Sequence, residues 1–169
     1  MKSGMHNSLE TKKKILFVCM GNICRSPGAE AVFSGLAKKM NIVDRFQIDS
    51  AGTGAWHAGE PADVRMQKHA LKRGYSLDSI ARQFKPETDF DRFDLIIGMD
   101  DENVQILKQW ARSPEDLKKI HKMTDFRKLW NYDEVPDPYY GGDEGFELVL
   151  DLLEDACEGL LEKVGRSGD

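Results

Sequence analysis

The sequence has little cysteine: three residues in 169, an odd and sparse set that excludes a disulfide-built fold. A reducing, cytoplasmic setting is the expectation that follows. Long hydrophobic runs are missing, and none approaches the roughly 18 residues of a membrane-spanning helix. Residues 1–12 are polar, run into Lys12-Lys13-Lys14 and lack the apolar stretch of a signal peptide. They read as a loose tail ahead of one domain over 13–169. Positive charge is not in excess either. The 24 Lys and Arg face 29 Asp and Glu, a formal net charge of −5 that argues against a nucleic-acid surface. Attraction of an anion must therefore be local, against the overall field. His57, His69 and His121 show no ligand spacing with the cysteines, so no metal and no cofactor is expected, and the three read as solvated or structural. What remains, 40% apolar and 31% charged residues without repeats, is the composition of one globular domain with a core.

Strand and helix patterns alternate along that domain. Ile15–Cys19, Phe46–Ala51, Asp94–Met99 and Lys119–Met123 are short apolar runs of the kind that form buried parallel strands. Ser26–Met40, Pro61–Arg73 (with Gly74 as a stop signal) and Asp101–Ala111 read as helices, and Pro86 opens a short helical turn. The clearest helix runs from Asp143 to Val164, where Phe146, Val149, Leu150, Leu153, Ala156, Cys157, Leu160 and Leu161 recur on one face. The alternation predicts an α/β fold: a single-domain, doubly wound, four-stranded parallel sheet with helices on both faces. Ligands in such sheets bind at the carboxyl ends of strands, beside a switch point.

The first strand ends at such a place. Cys19-Met20-Gly21-Asn22-Ile23-Cys24-Arg25-Ser26 puts a cysteine six positions before an arginine, with Pro27 where a first helical residue belongs and Ser26 as its expected N-cap. A strand, a tight loop and a helix start together direct backbone N–H groups and a positive helix end into one cradle, which suits a phosphate. A helix N-terminus and a nearby cation favour thiolate over thiol, so Cys19 is expected to be a nucleophile. Arg25 offers a planar fork for two phosphoryl oxygens, and the Ser26 hydroxyl is placed to donate to the sulfur. Gly21 relieves the turn, and Asn22 tolerates the left-handed conformation that such loops need. The alternative is a buried structural cysteine with a surface arginine.

A phosphoryl acceptor needs an acid for the leaving oxygen. Asp137, held between Pro136 and Pro138, is the candidate, with Tyr139 and Tyr140 beside it to flank an aromatic leaving group. Read from these residues alone, a plain Asp-Pro turn with edge-packed tyrosines is an equal alternative. Ser50 and Asp100 lie at strand ends on the same side as the loop, where each is a candidate support for it; for Asp100 a helix cap is the other reading.

The run Phe17-Val18-Cys19-Met20-Gly21-Asn22-Ile23-Cys24-Arg25-Ser26-Pro27 resembles the phosphate-binding signature of the low-molecular-weight protein tyrosine phosphatases. Asp137-Pro138-Tyr139-Tyr140-Gly141, Ser50-Ala51-Gly52-Thr53, Ala81-Arg82-Gln83 and Met99-Asp100-Asp101-Glu102-Asn103 are similar to that family too, so the likeness runs from about Lys14 to about Val164. The resemblance implies an enzyme that hydrolyses phosphotyrosine in proteins through a phosphocysteine. Cys19 would be the nucleophile, Arg25 the clamp and Asp137 the acid and base. Met20, Gly21, Asn22, Ile23, Cys24, Ser26 and Ser50 would bind phosphate or support the loop, and Trp56, Tyr139 and Tyr140 would form the substrate rim. It also implies that Cys24 pairs with Cys19 to protect it from over-oxidation; a small buried residue is the other reading. Weak self-association is left open.

Two positions depart from the family pattern. Ser79 stands where many relatives have a histidine bonded to the loop asparagine, and Gly28 follows Pro27 where relatives carry larger residues. Three other functions share parts of the pattern. An arsenate reductase needs a cysteine pair near residues 80–95, and none occurs there. A protein-arginine phosphatase carries threonine where this chain has Ile23. A catalytically inactive phosphate-binding module usually lacks the nucleophile or the acid, and both are present.

Overall fold

The computed structural model describes residues 12–139 and 141–165. The expected tail, all but residue 12, and Tyr140 lie outside the described residues. Four strands form one parallel sheet: β1 (Lys13–Cys19), β2 (Phe46–Gly52), β3 (Leu95–Gly98) and β4 (Ile120–Lys122). Their order across the sheet is β2-β1-β3-β4. The register pairs Phe17 of β1 with Ser50 on one side and Ile97 on the other. The chain thus leaves β1 for β2 on one side and returns to β3 on the other, so the carboxyl end of β1 lies at the switch point.

Among the described residues six α-helices cover the two faces: α1 (Arg25–Lys39), α2 (Val64–Lys72), α3 (Pro86–Arg92), α4 (Asp101–Trp110), α5 (Pro114–Lys119) and α6 (Asp143–Val164). Successive residues of β1 point to opposite sides. Ile15, Phe17 and Cys19 enter the larger core with α1, α2 and α6, while Leu16 and Val18 enter a smaller one with Phe84, Phe90, Phe93 and Leu107. In the larger core Phe33 stands edge-on to Phe46, ring centroids 5.1 Å apart. Each such fully buried ring or aliphatic chain contributes ~1.5–3 kcal/mol over an exposed one. The expected apolar face of α6 is buried from Phe146 to Leu161.

Three expectations need correction. The second helix begins at Val64, not Pro61, because Pro61 forms an antiparallel bridge with Ile80 and Asp63 caps the helix by accepting from the amides of Arg65 and Met66. Ser26 is not an N-cap. The helix starts one residue earlier at Arg25, Cys24 takes the cap position without a side-chain bond, and Pro27 sits inside the first turn. Helix α5 has no counterpart in the sequence reading; six residues are too few for a period to show, although Ser113 caps it and Pro114 opens it.

Gly28 now has a physical explanation. A Cβ there would lie 2.7 Å from Met66 Cε and 3.0 Å from Leu153 Cδ1, so glycine lets α1 approach α2 and α6 closely. That close packing offsets the loss of helix propensity.

Candidate active site

Cys19 is the last residue of β1, and the cradle loop fills the five residues before Arg25. The buried strand leads the sulfur to the sheet edge, and four backbone bonds fix the turn. Thr53 N donates to Cys19 O, Gly54 N to Met20 O, Asp63 N to Ile23 O and Gly28 N to Cys24 O, all at 2.9 Å. Asn22 adopts φ 58°, the left-handed conformation expected of it, and this turns its own amide onto Cys19 Sγ at 3.3 Å. Its side chain is used at both ends. Asn22 Nδ2 donates to Ser26 Oγ at 2.8 Å, and Asn22 Oδ1 accepts from Arg82 N at 2.9 Å. With Ser26 Oγ already accepting from Asn22, its one hydrogen has two acceptors in reach, Cys19 Sγ at 3.0 Å and Ala51 O at 3.5 Å. Cys19, Asn22, Arg25 and Ser26 are each at most 3% exposed.

Arg25 is fixed by two acceptors on other elements. Its Nη1 donates to Asp100 Oδ2 at 2.6 Å and to Val135 O at 3.0 Å. Burial opposes the charge, but Cys19, Asp100 and Asp137 outweigh it and hold the guanidinium pKa above its ordinary value. Asp100 fulfils both roles considered for it. One oxygen takes Arg25, and the other accepts from Asn103 N to cap α4.

Asp137 lies across the opening. Its Oδ2 is 3.8 Å from Arg25 Nη2, and its Oδ1 accepts from Tyr139 N at 3.0 Å. Its side chain is 41% exposed. Between the two loops is a cavity of about 330 Å³, lined by Cys19, Met20, Gly21, Ile23, Cys24, Arg25, Trp56, His57, Asp137 and Tyr139. The structure therefore brings together the expected nucleophile, clamp, acid, loop residues and rim, with Tyr140 outside the described residues. Trp56 is 70% exposed, at the rim rather than in the core. Cys19, Cys24 and Cys157 are all free of disulfides, and burial pushes the pKa of Cys24 and of Cys157 upward.

Ser50 is not at the loop. Its hydroxyl donates to Glu30 Oε1 at 2.7 Å, because β2 turns that side chain toward α1. Ser79 bonds to the same carboxylate rather than to Asn22, whose acceptor is taken by Arg82 N. Burial, foremost, raises the Glu30 carboxyl above its usual pKa, against the two serine bonds. His57 was missed by the sequence reading. Its ring packs on Gly21 and its Nδ1 pairs with Glu60 Oε1 at 3.0 Å. Its one signal was its place next to Trp56 in a glycine-rich loop.

With this geometry in hand, likeness to known proteins becomes informative. The chain matches the family described as low molecular weight phosphotyrosine protein phosphatase over residues 14–169. It is 42% identical over 159 residues to a low molecular weight protein-tyrosine-phosphatase of Streptomyces coelicolor, covering 89% of this chain and 93% of that one. A crystal structure of a protein tyrosine phosphatase from Entamoeba histolytica superposes with a TM-score of 0.88 at 46% identity, over 91% of this chain and 97% of its own. A more distant likeness is a Drosophila arginine phosphatase, at TM-score 0.83 and 32% identity over 92% and 99% of the two chains. Sheet order and cradle together define a cysteine-based phosphatase fold. More narrowly, the chain belongs to the low molecular weight phosphotyrosine protein phosphatase family.

Proposed function

We propose that the protein hydrolyses phosphotyrosine in protein substrates, and small aryl phosphates, through a phosphocysteine. The observation that carries this reading is the sulfur itself. Cys19 Sγ faces the Ser26 hydroxyl at 3.0 Å and the Asn22 amide at 3.3 Å, at the floor of a cavity that also holds Arg25 and Asp137. The Asn22 N–H donates to the sulfur and the Ser26 hydroxyl lies within hydrogen-bond reach of it, so the atom that this reading makes the nucleophile is fixed in place.

In the first step the sulfur attacks phosphorus and the P–O bond to the aryl oxygen breaks. The carboxyl of Asp137 gives that oxygen its proton. The Arg25 fork and the loop amides hold the equatorial oxygens, where charge is spread in the transition state. In the second step the Asp137 carboxylate takes a proton from water as that water attacks phosphorus. The S–P bond breaks, inorganic phosphate leaves, and Ser26 stabilises the departing thiolate. These residues supply every charge the cycle needs.

The cavity favours a flat aromatic leaving group. Trp56, Tyr139 and the apolar side chain of Ile23 line it, a wall that disfavours a cationic phosphoarginine group. Among the described residues no helix is long and apolar enough to cross a membrane. A cytoplasmic location remains part of this proposal. Cys19→Ser is expected to lower turnover of an aryl phosphate by roughly 10⁴-fold or more while inorganic phosphate still binds. Near-parental turnover by that variant would refute the mechanism.

A further inference from the structure

The two catalytic loops are joined by a residue that touches no reacting atom. Arg65, the second residue of α2, binds Asp63 with a two-pronged contact, Nε to Oδ1 at 3.2 Å and Nη2 to Oδ2 at 3.0 Å. The same Nη2 donates to the carbonyl of Tyr139 at 3.0 Å. The guanidinium also lies over two rings, 4.8 Å from the Phe146 centroid and 5.4 Å from that of Tyr139. Burial acts to raise the Asp63 carboxyl's pKa, but its bonds to Arg65 outweigh that and hold it below the usual value.

Both ends of this contact lead to catalytic groups. On one side, Asp63 N donates to Ile23 O of the cradle loop at 2.9 Å. On the other, Tyr139 N donates to Asp137 Oδ1 at 3.0 Å. An unbroken path therefore runs from Ile23 through Asp63, Arg65 and Tyr139 to Asp137. The acid loop needs such a strut, because its carboxylate is exposed and sits 3.8 Å from Arg25 without a direct bond to it.

We propose that Arg65 is a positioning residue that locks the acid loop to the cradle loop and so aims Asp137 at the leaving oxygen. This rests on the reading of Asp137 as the acid. Lysine cannot replace the fork, since it offers a point charge without the planar pair of donors. A misplacement of about 1 Å in a catalytic group is enough to cost 10²-fold in rate. Neither Arg65 nor Asp63 lines the cavity, so phosphate affinity should not follow the rate.

The test uses the leaving group as a ruler. Parent, R65Q, D137N and the R65Q/D137N double variant are assayed for kcat/KM on phenyl phosphate and on p-nitrophenyl phosphate, whose leaving group needs less protonation. R65Q should lose about 10- to 100-fold on the phenyl ester and far less on the nitrophenyl ester, while inhibition by inorganic phosphate stays within about twofold. The double variant should be no worse than D137N, because Arg65 acts only through Asp137. Equal losses on both esters, or losses that add in the double variant, would overturn the proposal. Should R65Q not fold, R65K is read by the same criteria. A D137N variant that treats the two esters as the parent does would remove Asp137 as the acid. A D137N variant that separates them, beside an R65Q that does not, would remove Arg65 alone.

Discussion

The cradle loop and the acid loop face the same cavity but are built by opposite means. The cradle is interior: Cys19, Asn22 and Ser26 are buried, and the bonds of Asn22 and Ser26 go to neighbours that fix the sulfur. The acid loop is surface, stiffened by Pro136 and Pro138 and tied down by Arg65 and by the bond from Arg25 to Val135 O. The difference follows from what each must do. The proposed nucleophile needs fixed donors and no competing water. An acid that becomes a base needs water in its second step, and its loop has to admit a protein side chain. One loop is held by burial, and the other by its ties to Arg25 and Arg65.

Asp137→Asn tests that contrast with the largest effect. It should lower kcat/KM on phenyl phosphate by about 10²- to 10³-fold. A loss of less than about tenfold would assign the acid to another group.

Gly28→Ala probes the support under the cradle. The added methyl meets the ends of two flexible but fully buried side chains, Met66 and Leu153, whose shift costs about 1 kcal/mol or more, while better helix propensity returns up to ~1 kcal/mol. Denaturant unfolding should show a net loss of stability; a gain would mean that the helices tolerate more separation than their contact suggests. Glu30→Gln should have the smallest effect. The folded pKa of Glu30 is raised, so its folded state holds the proton more firmly than the unfolded chain does. Its contribution therefore weakens as pH rises from the unfolded value through the folded one. The glutamine variant should lose this slope and gain slightly in melting temperature near neutrality. An unchanged slope would mean that Glu30 is not the group responsible.

Much of this molecule was legible because its chemistry is local. The four strands are apolar runs bounded by charge or glycine, and Cys19 to Ser26 carries the proposed nucleophile, the proposed clamp and a hydroxyl within one short segment. Long-range partners left no such trace. Arg25 finds Asp100 at a separation of 75 residues, Arg65 finds Tyr139 at 74, and no periodicity marks either pair. Ser50 was misread because a strand end fixes the face of a side chain but not its partner, which proved to be Glu30. Pro61 was misread because proline also suits a bridge before a helix, and the true cap, Asp63, lies two residues on.

The most direct measurement is a trap of the covalent intermediate. D137N is mixed with excess p-nitrophenyl phosphate, denatured within a single turnover and digested, and its peptides are weighed. One phosphoryl group on the peptide that contains Cys19, absent from the same peptide of Cys19→Ser, is the predicted result. No phosphorylated peptide, or a phosphoryl group on any residue other than Cys19, would contradict the account.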